Sequence, residues 1–191
     1  MYKEKLEPIL NDLENKEITI AGGSTVGIML ATVNSLIKYI ANLTFGKKGY
    51  EDVQPKIEEI LQSAENLKEE SLNVIDKDKE IVEEILNKYK TRNQFKEDYV
   101  KACKNGVEFC IKVVILSLDT LKLSCEISKV GNKMLASDFK ICKYYAFASI
   151  QSAIVNVNIN LDSIEDFKYK RCYMEKCNTL LEEAKKYIED L

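Results

Sequence analysis

The sequence predicts an all-α fold, a bundle of about six long, mostly antiparallel helices. Two prolines and seven glycines among 191 residues leave little turn chemistry for a protein built from many short strands. Apolar residues instead recur every three or four positions over long segments, which is the helical period. With 46% hydrophobic and 31% charged residues, we expect residues 1–191 to form one folded domain with a sizeable core.

The first two helices differ in character. Leucines and isoleucines at helical spacing predict a first helix over residues 3–15, with residues 16–20 as a connector. Ser24 is a candidate N-cap for the second helix. This helix is apolar nearly all round, so we expect it to be central. Its run from Val26 to Ile37 is too short and too polar for a membrane span.

The middle of the chain predicts two longer helices. The third extends from about Val53 to Lys90, with Asp52 as its cap, and carries a long heptad-like apolar seam. The fourth extends from about Gln94 to Ser128. Gly106 lies inside it and indicates either a kink or a close contact with another element.

The last third predicts a loop over residues 129–136 and a fifth helix, capped by Ser137, that ends near Asn156. Residues 156–161 alternate polar and apolar, which fits either a helix end or a short extended piece. Asp162 or Ser163 is then the expected cap of a final helix that reaches the C-terminus.

Composition excludes several classes of function. The net charge is −3 with both signs interspersed, so no basic stripe is available for nucleic acid or for a membrane surface. Histidine is absent, which excludes a histidine-based triad and a histidine-rich metal site. None of the six cysteines forms C-x-x-C, so we expect reduced thiols in a cytoplasmic protein and no metal ion. The N-terminus has no signal-peptide pattern.

Asp78 is the most informative ionisable residue. The apolar seam of the third helix runs through positions 57, 60, 64, 67, 71, 74, 78, 81 and 85, so it includes Asp78, whereas Asp76 and Glu80 fall off it. A carboxylate on a core-facing position is costly unless it is paired or used. Burial would raise its pKa, as suits a general acid or base. The alternative is that Asp78 pairs with a buried lysine.

Three turns are candidate ligand sites, although each is more often an ordinary turn or cap. Gly22, Gly23 and Ser24 begin the second helix, where free backbone N–H groups can hold an anion or a carbonyl oxygen. Further candidates are Lys47 and Lys48, between two glycines, and the pair Ser137 and Asp138.

These segments together resemble the cyclodeaminase/cyclohydrolase family, the C-terminal domain of formiminotransferase-cyclodeaminase that also occurs alone as a methenyltetrahydrofolate cyclohydrolase. The resemblance covers nearly the whole chain in order. It rests on Gly22-Gly23-Ser24, Ala41-Asn42-Leu43-Thr44 followed by Gly46-Lys47-Lys48-Gly49-Tyr50, Asp76-Lys77-Asp78, Gly131-Asn132, Ser137-Asp138 and residues 156–161.

The resemblance implies an all-helical homodimer that holds a tetrahydrofolate derivative near the subunit interface and handles its one-carbon unit without a metal. It also implies roles for the candidate residues. Asp78 would carry the proton, Lys47 and Lys48 would meet the glutamate tail of folate, and Gly22 to Ser24 would bind the pterin or one-carbon end. Ser137 and Asp138 would belong to the same substrate site. The deaminase and hydrolase activities are not distinguished.

The chain departs from the family pattern at several positions, namely Ile20-Ala21, Ile81-Val82, Phe139 to Lys143, and Asn158. Phe139 to Lys143 stand where the family usually has small residues, which leaves a second hypothesis, a relative that binds folate or another ligand without catalysis. A third is a helical interaction protein in which the seam of the third helix is only an interface.

Overall fold

The protein is described from a computed structural model, which covers residues 2–15 and 20–188. Over these residues the chain forms helices, short turns and no β-strand, which confirms the predicted all-α class. The connector predicted at residues 16–19 and the last three residues of the chain lie outside the described ranges. The helices are α1 (Tyr2–Glu14), α2 (Gly22–Asn42), α3 (Gln54–Lys90), α4 (Lys96–Val130), α5 (Ala136–Asp162) and α6 (Phe167–Lys186).

Helix α2 is the central element, as predicted. It contacts α3, α4 and α5, and its apolar side chains contribute to the main hydrophobic cluster on several faces. By length and composition it is the one helix of the described residues that could cross a bilayer, a test that core helices also pass, and half of that window is buried inside the protein. The extensive packing of α2 against its neighbours explains its apolar composition.

The beginnings of α2 and α3 differ from the prediction. Helix α2 begins at Gly22, so Ser24 is its third residue and not its N-cap. Asp52 does not cap α3. It lies in a short 3₁₀ turn over Glu51–Val53 that precedes α3. In the first case the sequence rule fails because another helix supplies the capping group, as described below.

The starts of α5 and α6 also differ from the prediction. Helix α5 begins at Ala136, so Ser137 lies within its first turn and is not its cap. The helix continues without a break through residues 156–161, which excludes the extended alternative. Asp166, and neither Asp162 nor Ser163, caps α6 by accepting a hydrogen bond from the backbone N–H of Tyr169.

The cysteines behave as the sequence predicts for reduced thiols. Five of the six are buried, with Cys172 the exposed exception. Buried thiols at these positions act as small apolar groups in the core. The described residues contain no group of three or more Cys, Asp or Glu side chains arranged to hold a metal ion.

Candidate active site at the N-terminal end of α2

The candidate site is built on a contact between the first turn of α2 and the middle of α3. Asp78 is only 5% exposed. Its Oδ2 accepts a hydrogen bond from the backbone N–H of Ser24 at 2.8 Å and another from Ser24 Oγ at 2.9 Å. The third N–H of a helix is the one that an N-cap side chain normally satisfies. Asp78 therefore caps α2 from a neighbouring helix, and the positive end of the helix dipole favours its charged form.

The second carboxylate oxygen of Asp78, Oδ1, remains available to another partner. No donor among the described residues hydrogen-bonds to Oδ1, and the residue lines an open cavity. Gly23 makes this arrangement possible, because a Cβ at that position would lie 1.9 Å from Asp78 Oδ1. The glycine is thus required for the close approach of the two helices at the carboxylate.

The protonation of Asp78 reflects two opposed effects. Burial raises the pKa of Asp78 above its ordinary value, while the hydrogen bonds from the hydroxyl and backbone N–H of Ser24 partly lower it. The net pKa is raised, which brings the carboxyl closer to the range in which it can both accept and donate a proton near neutral pH. Among residues 2–15 and 20–188 no lysine forms an ion pair with Asp78, so a buried pair with a lysine of those ranges is excluded, and Ser24 is the hydrogen-bond partner that the structure shows.

The cavity beside Asp78 has a volume of about 250 Å³. Its mouth is formed by the N-terminal end of α2 and its walls by α3, α4 and the last turns of α5. Most of the lining is apolar. The lining residues are Ala21, Gly22, Gly23, Asp78, Ile81, Val82, Ile85, Leu86, Cys110, Asn156, Ile159 and Asn160. Ser24 is fully buried behind Asp78 and does not line the cavity.

The other candidate residues lie at the opposite end of α2. A 21-residue helix is about 30 Å long, so Lys47 and Lys48 are far from Asp78 within one chain. Both lysines are exposed. The neighbouring turn is satisfied internally, because the N–H of Gly46 donates to Gln54 and that of Gly49 donates to the Glu51 carboxylate.

Ser137 and Asp138 lie at this same far end. The loop before them is tied to the end of α2, since the N–H of Asn132 donates to Thr44 Oγ1 and that of Lys133 donates to the hydroxyl of Tyr50. Helix α5 therefore starts near the C-terminal end of α2 and ends near Asp78. Within one chain the structure brings together four candidates (Gly22, Gly23, Ser24 and Asp78) and separates them from the other four (Lys47, Lys48, Ser137 and Asp138).

Both the sequence and the fold match known proteins. The formiminotransferase-cyclodeaminase family profile matches residues 5–179. The chain belongs to that family. A methenyltetrahydrofolate cyclohydrolase of Methylorubrum extorquens is 24% identical over 188 residues, which cover 95% of this chain and 90% of that protein. The crystal structure of formiminotetrahydrofolate cyclodeaminase from Thermotoga maritima superposes with a TM-score of 0.85 at 28% identity, covering 97% of this chain and 90% of that one.

Membership of the formiminotransferase-cyclodeaminase family identifies the chain as an enzyme of the cyclodeaminase/cyclohydrolase type. It also clarifies the departures from the family pattern. Phe139 is buried and its ring packs on Gly131, where a Cβ would lie 3.0 Å from Cε1 and Cζ. This departure is a packing contact at the far end of the molecule. In contrast, Ile81 and Val82 do line the cavity beside Asp78 and narrow it.

The cavity beside Asp78 is smaller than another depression on the surface. A groove of about 990 Å³ lies between α4, α5 and α6, lined by polar residues that include Lys129, Lys143 and Lys186. Two of these lysines occupy the last turn of a helix, where a cation offsets the negative end of the dipole. The described residues that line the groove include no buried carboxyl group, so the smaller cavity is the better candidate for acid–base chemistry.

Sequence reasoning missed the contribution of α5 to the cavity. Asn156, Ile159 and Asn160 all line it, although residues 156–161 carried no predicted role. The signal available in the sequence was Gly106, whose predicted close contact is confirmed. A Cβ on Gly106 would lie 3.0 Å from Ile85 Cδ1 and 3.1 Å from Asn160 Cγ.

Proposed function

We propose that the protein is a folate one-carbon enzyme that acts on 5-formiminotetrahydrofolate or 5,10-methenyltetrahydrofolate, with Asp78 as the acid/base group. One observation carries the proposal. Asp78 is a buried carboxyl group with a raised pKa on a cavity bounded by the N-terminal end of a helix, and its Oδ1 accepts no hydrogen bond from residues 2–15 or 20–188. We place the protein in the cytoplasm and its activity in a single helical domain.

The deaminase reaction requires that one proton be removed from the substrate and one be delivered to the leaving group. N10 of the substrate attacks the carbon of the protonated formimino group, the C=N π electrons pass to the nitrogen to give C–NH₂, and the proton that N10 loses passes to Asp78 Oδ1. The tetrahedral intermediate then collapses as the C–NH₂ bond breaks, and Asp78 returns the proton to the departing ammonia. The product is the 5,10-methenyl cation. A carboxyl group with a raised pKa can serve in both directions.

The hydrolase reaction uses the same group on water. Asp78 removes a proton from water as its oxygen attacks the methenyl carbon. The intermediate collapses by cleavage of the C–N5 bond as its hydroxyl releases its proton to solvent, N5 takes the proton from Asp78, and the one-carbon unit remains on N10 as a formyl group. A single carboxyl group supplies both transfers, so the proposal uses no metal ion.

The remaining candidate residues are assigned by position. The free N–H groups of Gly22 and Gly23 bind the pterin or one-carbon end of the substrate, and Ser24 positions Asp78. At about 250 Å³ the cavity is near the lower limit of ligand pockets, roughly 300 Å³. It therefore takes the ring end of a folate and leaves the glutamate tail outside.

A homodimer supplies the rest of the site in this proposal. From Tyr144 to Leu161 the sequence of α5 has no charged residue, yet its outer face is exposed, with Val155 58% and Ile159 65% accessible. A helix that is apolar all round is normally buried. We propose that a second copy covers this face. Because Ile159 also lines the Asp78 cavity, the same contact closes the cavity.

The far-end residues act across this dimer. Lys47, Lys48, Ser137 and Asp138 of one copy contribute to a substrate bound beside Asp78 of the other, with the lysines on the glutamate tail. This arrangement reconciles the family resemblance with a separation of about 30 Å inside one chain.

The dimer is tested by its mass. Tyr144→Glu and Val155→Glu place charges on the outer face of α5, and neither residue lines the cavity. Light scattering should give twice 21.9 kDa for the wild type and a single chain for the double variant, with lower activity. Leu72→Glu, on the exposed face of α3, is the matched control and should remain dimeric. A monomeric wild type that retains full activity would contradict the proposal.

The activity is tested by assaying the purified protein in parallel with formimino- and methenyltetrahydrofolate, following the methenyl absorbance. Turnover of either substrate supports the proposal and tells the two reactions apart. Folate-induced thermal stabilisation without turnover would favour the alternative of a binding protein that has lost catalysis. Neither turnover nor stabilisation would favour a helical interaction protein.

A further inference from the structure

The last turn of α5 carries Asn160, and hydrogen bonds fix the orientation of its side-chain amide. Asn160 Nδ2 donates to the backbone carbonyl of Asn156 at 3.0 Å and to the sulfur of Cys110 at 3.7 Å. A carbonyl oxygen can only accept, so the atom that faces Asn156 must be the nitrogen. Both hydrogens of the amide are therefore used inside the protein, and Oδ1 is the part of the amide that remains for another partner.

The surroundings of this amide are adapted to it. Gly106, inside α4, lies against Asn160, and a Cβ there would come within 3.1 Å of both Cγ and Nδ2. Glycine in a helix interior is destabilising relative to alanine. Gly106 nevertheless stands where α4 passes the amide, because a larger residue would press on it.

The thiol that completes the arrangement is held neutral. Cys110 is buried, and burial together with the charge of Asp78 raises the pKa of its thiol to about 12. The sulfur remains a neutral acceptor for the amide at any physiological pH, so the orientation of Asn160 does not change as Asp78 titrates.

We infer that Asn160 is a substrate-binding residue whose Oδ1 accepts a hydrogen bond from a ring N–H of the ligand. No donor among the described residues reaches this oxygen, and Asn160 lines the same cavity as Asp78. The inference deepens the proposed function and rests on it for the identity of the ligand. The reduced pterin ring carries several N–H groups along one edge, which match an acceptor that has no free donor of its own.

This residue gives the cavity a second fixed point. Asp78 acts on the one-carbon unit, Asn160 holds the N–H edge of the ring, and the apolar side chains of Ile81 and Ile85 lie along the wall between them. Two polar groups in an otherwise apolar pocket are sufficient to set the orientation of a flat ring. Asn160 thus determines which ring face and edge meet Asp78.

The first test is the kinetics of Asn160→Leu in the full-length protein. Leucine has a similar shape and removes the acceptor, so we expect the KM for methenyltetrahydrofolate to rise about tenfold, the worth of one good hydrogen bond. Loss of binding shared by ground and transition states raises KM more than it lowers kcat. Asn73→Leu is the matched control, since Asn73 is exposed on α3 and does not line the cavity.

The second test moves the amide without changing it. Gly106→Ala places a methyl group against Cγ and Nδ2 of Asn160 and against Ile85 Cδ1. We expect a several-fold rise in KM with no fall in the melting temperature, because alanine favours the helix. A merely structural role for Gly106 would instead lower the melting temperature and leave KM unchanged.

A binding measurement separates this inference from the proposed function. Tetrahydropterin, which has the ring but no tail, should raise the melting temperature of the wild type and not that of Asn160→Leu. Turnover by the wild type with unchanged KM in Asn160→Leu would overturn the inference and leave the function standing. An inactive wild type that is stabilised by tetrahydropterin only when Asn160 is present would support the inference and overturn the function. Absence of both turnover and stabilisation would overturn both.

Discussion

The two ends of α2 look alike in the sequence and differ in the structure. Each has glycines and candidate polar side chains. At the first end, Gly23 and Ser24 meet a buried carboxylate from α3, and Gly23 and that carboxylate line a cavity. At the second end, the N–H groups of Gly46 and Gly49 are consumed by side chains of the protein.

The glycines at the two ends serve different physical needs. Gly46 and Gly49 have φ of 65° and 86°, a backbone region that other residues avoid, and nothing lies near their missing side chains. Gly23 has no such backbone requirement but lies against Asp78 Oδ1. One kind of glycine shapes a turn, and the other lets a carboxylate approach a helix end. Only the second kind points to chemistry.

Of the substitutions that test this comparison, Asp78→Asn should have the largest effect on activity. An amide oxygen can still accept the two hydrogen bonds from Ser24, so the cap of α2 survives, but the proton carrier is lost. We expect activity to fall by roughly 10²–10⁴-fold, measured with whichever folate the wild type turns over. A variant that keeps more than about a tenth of the activity would reduce Asp78 to a helix cap.

The same variant separates catalysis from stability. The folded-state pKa of Asp78 is raised, so the folded state binds the proton more tightly than the unfolded chain does. Its contribution to stability is greatest below its ordinary pKa and falls as pH rises through the folded-state value. At neutral pH the buried charge is a cost that Asp78→Asn removes. The melting temperature of the wild type should therefore drop relative to that of the variant as the pH rises above about 4, the ordinary pKa of an aspartate.

Gly23→Ala should have the next largest effect. The added methyl group would lie 1.9 Å from Oδ1 and 2.5 Å from Cγ of Asp78, so the carboxylate must move while Ser24 holds its other oxygen. A displacement of about 1 Å costs on the order of a hundredfold in rate. Gly22→Ala adds the same group with nothing within 4 Å and should lose at least about ten times less activity. Equal losses in the two variants would mean that the contact with Asp78 is unimportant.

The sequence predicted the core-facing position of Asp78 because the apolar seam of α3 extends over many residues with a regular spacing. A seam repeated over many helical turns identifies any polar residue on it, and Ser71 and Asp78 are indeed the buried polar residues of α3. The fold class followed from the same periodicity. These are features in which local pattern and tertiary packing agree.

The parts that the sequence did not predict depend on contacts between helices. Ser24 looked like an N-cap because capping rules consider only neighbouring residues, whereas the cap of α2 comes from α3. Asn160 carried no signal of its own, since its role follows from the approach of α4 at Gly106. Lys47 and Lys48 are far from Asp78 because they follow the C-terminal end of α2, whereas Asp78 contacts its N-terminal end, and the helix is 21 residues long.

Ser24→Ala should shift the pH dependence of activity. The Ser24 hydroxyl lowers the pKa of Asp78, and the backbone N–H that remains in the variant provides the smaller part of this effect. Without the hydroxyl the pKa of Asp78 rises further, so the limb of the kcat/KM profile that reports ionisation of Asp78 should move to higher pH. A limb that stays in place or moves to lower pH would show that the profile reports another group.

Replacing both Lys47 and Lys48 by Ala should have the smallest effect and tests the other end of α2. Both side chains are exposed, and a solvent-exposed ion pair is worth up to about 1 kcal/mol, or about fivefold in affinity. We expect the KM for a folate with its glutamate tail to rise by up to that factor, with kcat unchanged and the difference shrinking as salt is added. Lys168→Ala with Lys170→Ala removes the same charge from α6 and should leave KM unaltered. The contrary outcome is a fall in kcat in the Lys47 and Lys48 variant without a change in KM. It would mean that the far end takes part in the chemistry itself. The second copy would then join the two ends of α2 in one active site.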